Sequence, residues 1–97
     1  MDTDAFRNVL DGYEAHLHLL TGPFPRADTD WIKCNRVVDS DVKWSHALVM
    51  LTKMRVMLTE GKDSKFFRWL GFVQGIMWST GLYSIDELRS HNRGICS

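Results

Sequence analysis

Residues 65–80, KFFRWLGFVQGIMWST, form the segment that most restricts what this chain can become. With Gly71 placed at 0° and about 100° per residue, Phe72, Ile76, Trp69, Val73, Phe66, Met77 and Leu70 span an arc from about 100° to 260°. That arc alone suffices for an amphipathic helix. Phe67 and Trp78 lie on the opposite side, flanking Gly71 and Gly75, with Arg68 and Gln74 beyond them. A helix apolar nearly all round is covered from more than one direction. Glycine inside a helix also costs about 1 kcal/mol relative to alanine, so two on one face invite a reason. Missing side chains at i and i+4 leave a shallow notch that a second backbone can approach closely. The first helix or the following crossover can fill it within one subunit, or a second protein can fill it from outside.

The remaining segments read as helices too. Phe6, Leu10, Tyr13, Leu17 and Leu20 recur at steps of three and four, predicting a helix over 4–20 with Asp2 or Thr3 as its cap. Residues 21–40 carry both prolines together with Phe24, Trp31, Ile32, Val37 and Val38, and read as a long ordered crossover. A second helix over 41–60 follows the cap candidates Asp39, Ser40 and Asp41. It has a core face of Trp44, Ala47, Leu48, Leu51, Met54 and Leu58, and a second stripe of Val42, Val49 and Val56 beside Met50 and Met57. Gly61 stops it. Asp63 or Ser64 caps a third helix over 65–80, ended by Gly81. Ser84-Ile85-Asp86-Glu87 fits a capping box opening a short fourth helix over 85–92, closed by Gly94. The reading is an all-α single domain, residues 1–97: a small bundle of three main helices plus a short capped C-terminal helix. Two contact sides on the second helix, added to the third helix's perimeter, exceed what one subunit of this size readily encloses, which favours a homo-oligomer, most simply a dimer.

Composition removes several function classes. Twelve basic residues balance twelve acidic ones, so no basic excess advertises nucleic-acid binding, and little net repulsion keeps copies apart. No run reaches the 18 or so uncharged apolar residues of a membrane span. MDTDAFRNVL places acids where a secretory signal has bases, and the only cysteines are Cys34 and Cys96, a pattern expected of reduced thiols in a cytoplasm.

The constellations that carry chemistry are thin. His16 and His18, two apart, point to opposite sides of a helix, and His46 and His91 lack cysteine or carboxylate neighbours at zinc-like spacing, so no metal is expected. Glu14, Glu60 and Glu87 fall in three different helices, without the ExxE clustering that holds magnesium. Neither a GxSxG turn nor a phosphate loop is present. Cys34 lies near Lys33 and Arg36, which would favour a thiolate, but no base accompanies it. No catalytic residue, enzyme activity or cofactor is therefore expected. WSTGLYSIDELRSHNR has the helix–turn–helix grammar of a DNA-binding regulator, yet its reading helix would begin with Asp86 and Glu87, facing phosphates. Arg26, Lys33, Arg36, Arg89 and Arg93 are the candidates if a nucleotide binds between subunits.

KFFRWLGFVQGIMWSTGLYSIDELRSHNR resembles the C-terminal part of small accessory proteins of tailed phages and prophages, which pair an RWLGFxQGxxW helix with a (S/T)xDE(L/M)RxxNR helix. The pattern covers about 30 of the 97 residues. The resemblance implies a phage setting and binding rather than catalysis, with a host or defence protein as the target. The expected association surface is Phe67, Arg68, Gly71, Gly75 and Trp78, with Trp31, Lys33, Arg36, Arg89 and Arg93 as an outer contact surface.

Overall fold

A computed structural model of the chain describes residues 2–22 and 39–96, with side chains to residue 93. The crossover and the residues singled out on it, Arg26, Trp31, Lys33 and Arg36 among them, lie outside the described residues. Four helices follow in order: α1 (Thr3–Thr21), α2 (Ser40–Glu60), α3 (Asp63–Ser79) and α4 (Ile85–Cys96), with no strand among the described residues. The protein is all-α and bundle-like.

Helix ends follow their chemistry where backbone groups need partners. Asp2 accepts the Ala5 amide at 3.0 Å and opens α1. Gly61 and Gly81 adopt positive φ, and each closes its helix with a paired backbone motif. Lys62 N–H donates to the Met57 carbonyl behind Gly61, and Leu82 N–H to Met77 behind Gly81, satisfying carbonyls the helix leaves over. At α4 the capping box is complete: the Ser84 amide donates to Glu87 Oε1 and the Glu87 amide to Ser84 Oγ, both at 3.1 Å. Two expectations change, at α3 and α4, and the one at α2 holds in position without the side-chain bond. α3 starts at Asp63 with Lys62 at the cap position and no side-chain cap bond, so neither Asp63 nor Ser64 caps it. Asp39 occupies the α2 cap position, also without a side-chain bond. α4 passes through Gly94 to Cys96, because glycine ends a helix only where the backbone turns left-handed.

The helices run up, down, up and down. The two-residue link Gly61–Lys62 turns α3 back along α2. Arg55 on α2 reaches Asp11 at 2.7 Å and Glu14 at 2.6 Å on α1. The Trp44 indole near the start of α2 donates to Thr80 just beyond α3, at 3.0 Å. Phe6 and Phe66 pack edge-on at 5.1 Å, so α1 and α3 run parallel across the core. α2 is the middle element: Ala47, Leu48, Leu51, Met54 and Leu58 are buried, and so are Val42, Met50 and Met57. The stripe read as a second contact side of α2 is therefore largely covered within the chain. Val49 is half-buried, and Val56 alone stays open at 52% exposure. On α1, Leu20 departs from its expected place on the core stripe and is exposed, since α1 meets its neighbours through Phe6, Leu10, Tyr13 and Leu17.

Candidate interaction surface on α3

α3 buries Phe66, Leu70, Val73, Gln74 and Met77. That arc is turned by about 60° from the one the apolar pattern alone suggests. Two exchanges follow from the rotation. Phe72, expected in the core, is 57% exposed, while Gln74, expected beside the glycines, is buried. Trp69 and Ile76 become half-buried flank residues. The cause is the position of α3 at the edge of the bundle. α2 covers one flank, and α1 with α4 covers the other.

What remains open is the glycine side. Gly71 and Gly75 are exposed, and a Cβ built on either meets nothing within 4 Å beyond its chain neighbours and the backbone of its own helix. Neither α1 nor any other described segment fills the notch. Around it stand Phe67 at 44% exposure, Trp78 at 54%, and Phe72. Phe67 is held at its base by edge-on contacts with Phe6 at 5.3 Å and Phe66 at 5.8 Å, so its ring is fixed while part of it faces solvent. Arg68 is exposed and makes no hydrogen bond or ion pair among the described residues. The five residues expected as an association surface thus share one outward face of one helix.

Beside that face runs an open groove of about 370 Å³ between α2 and α3. Its walls are His46, Val49, Met50 and Lys53 on one side and Arg68, Trp69 and Phe72 on the other. The His46 ring meets the Phe72 ring edge-on at 6.1 Å. Lys65 sits 5.4 Å over the Trp69 ring, a cation held against an aromatic face. Arg89 and Arg93 are exposed on α4, a different helix, and Arg89 pairs with Asp86 at 3.8 Å. Arg89 and Arg93 therefore do not share the face of Arg68 within one chain.

A second cluster escaped the sequence reading. The Gln74 amide donates to the Tyr13 hydroxyl at 3.1 Å and to Asn92 Oδ1 at 2.9 Å, and Asn92 donates back at 3.3 Å. The Tyr13 hydroxyl also pairs with His91 Nδ1 at 2.8 Å. His16 and Tyr83 pair at 3.0 Å, and the Tyr83 ring packs on both His91 and Tyr13. This knot joins α1, α3 and α4 at the only buried polar side chain of α3, and leaves no buried side-chain polar atom unpaired among the described residues. Burial pushes the Tyr13 hydroxyl above its usual pKa, Gln74 opposing and Tyr83 adding. Tyr83 is raised by burial and then by Glu87. A tyrosine on an apolar stripe announces that its hydroxyl needs a partner. Nothing in the spacing of residues 13, 74 and 91 says which. The groove beside it, about 290 Å³, is lined by Asn8, Val9, Gly12, Tyr13, Tyr83 and His91.

Among the described residues no group of three or more His, Cys, Asp or Glu side chains is placed to hold a metal ion, and no helix is long and apolar enough to cross a membrane. No protein-family model, curated protein or solved structure matches the chain.

Proposed function

We propose that this chain is a non-enzymatic accessory protein that acts by protein–protein binding and self-associates through the outer face of α3. It works as a homo-oligomer in the cytoplasm of a phage-infected or lysogenic host, where it blocks a host or defence protein. The observation that carries the reading is the open glycine floor of α3 within a frame of three half-exposed aromatics. Such rings make interface anchors, and a soluble monomer gains nothing by holding them in water. The phage setting rests on the C-terminal pattern alone.

Light scattering from low to high micromolar concentration tests the association. A mass rising to that of two or more chains supports it, and a strict monomer throughout removes it. For the target, immobilised wild-type chain should retain a host protein that a Gly71→Leu chain does not. Equal capture by both places the contact elsewhere.

A further inference from the structure

We infer that the occupant of the α3 face is the same face of a second copy, packed antiparallel about a two-fold axis that lies outside α3 at the level of residue 73, midway between Gly71 and Gly75. The inference rests on the self-association reading above and specifies its geometry.

A two-fold interface needs a surface that complements itself, so that residue i meets j and j meets i. Antiparallel pairing about position 73 sets Gly71 over the partner's Gly75, and Gly75 over its Gly71. Phe67 and Trp78 occupy the same flank of α3, within about 20° of each other, and stand nearly equidistant from the midpoint. The two-fold therefore brings Phe67 against the partner's Trp78, twice. Phe72 lies on the other flank beside the midpoint and meets its own symmetry mate. All three exposed rings find an aromatic partner in this one register.

Charge selects the same direction. Arg68 is the cation nearest the glycines on α3, in its N-terminal half. Antiparallel pairing carries it to Ser79 and the C-terminal end of the partner's α3, the negative end of the helix dipole. Parallel pairing instead sets Arg68 close to the partner's Arg68, near two positive helix ends. It also leaves Phe72 facing the flank that α4 covers at Gln74. The area is adequate. Half of three aromatic side chains amounts to on the order of 300 Å² per copy. The glycine backbone and flanking rim extend the face toward the roughly 600 Å² per partner at the lower end of specific interfaces.

The test uses the full chain with Cys34 and Cys96 changed to serine and a nitroxide attached through Ser64→Cys, an exposed position near the start of α3. In the antiparallel pair the two labels lie about 27 Å apart along the axis, and in a parallel pair within about 10 Å of each other. A pulsed-EPR distance near or above the longer value is the expected result. The shorter value in a genuine dimer overturns the register while leaving self-association standing. Gly71→Leu should raise the dimer dissociation constant by at least about 30-fold with helix content intact, since its Cβ meets nothing within 4 Å beyond its chain neighbours and the backbone of its own helix. A dimer indifferent to Gly71→Leu moves the interface off this face. A wild-type chain without dimer signal removes the self-association reading itself.

Discussion

α2 and α3 carry the same kind of sequence and meet different fates. Both are apolar around most of their circumference, and both end in a left-handed glycine. α2 lies between α1 and α3, so the chain covers Val42, Met50 and Met57 as well as Leu51 and Met54. α3 stands at the edge, and its outer face keeps Phe67, Phe72, Trp78 and two bare glycines in the open. Apolar perimeter therefore says how much cover a helix needs. Its place in the bundle decides whether the chain or another molecule supplies that cover.

The contrast breaks most visibly at the centre of α2. Leu51→Ala should cost about 3 kcal/mol in urea unfolding, because the site is closed on every side. Phe72→Ala should cost the dilute monomer little, although the residue is larger. A large loss from Phe72→Ala at high dilution would mean that α3 is already covered within the chain.

Next in size is the polar knot that holds α3 to α1 and α4. Tyr13→Phe removes the hydroxyl from between Gln74 and His91 and should cost about 2 kcal/mol, measured in the same way. The two tyrosines of the chain also set an alkaline limit. Their folded-state pKa values lie above 10.0, so the folded protein holds these protons more tightly than the unfolded chain does. The stabilisation is complete below pH 10 and is lost as the pH climbs from there through the raised values. An absorbance titration should show phenolate appearing late and together with loss of helix. Early, independent ionisation would show that the knot does not close.

A gain comes third. Gly71→Ala together with Gly75→Ala should stabilise the isolated monomer by up to about 2 kcal/mol, since both positions are helical and open. The same pair should weaken association. Alanines that destabilise the dilute chain would reveal cover that the fold does not show. Smallest is the loss from Ser84→Ala, about 1 kcal/mol, read from thermal unfolding, because it removes one half of the α4 capping box.

Local chemistry was legible in the sequence. The four helices follow from three- and four-residue spacing, and the stops at Gly61 and Gly81 and the Ser84–Glu87 box follow from the needs of helix ends. What was not legible depends on neighbours. The exchange of Phe72 for Gln74 is a rotation of about 60°, set by where α1 and α4 pack. The second stripe of α2 looked exposed because a periodic pattern does not say which helix stands in the middle. Nothing in the spacing of His16 and His91 says that Tyr83 packs against both rings. Gly94 looked like a stop, but an ordinary helical backbone there costs only about 1 kcal/mol. Of the candidate surface, the α3 residues share a face because a helix fixes their directions, whereas Arg89 and Arg93 belong to another helix whose docking no spacing encodes.

The most direct measurement is the solution mass of the wild-type chain by sedimentation equilibrium, taken from low to high micromolar and repeated for Gly71→Leu. The outer face of α3 as a site of self-association requires a monomer–dimer equilibrium for the first and a monomer of unchanged helicity for the second. A single-chain mass for the wild-type protein at every concentration would contradict it.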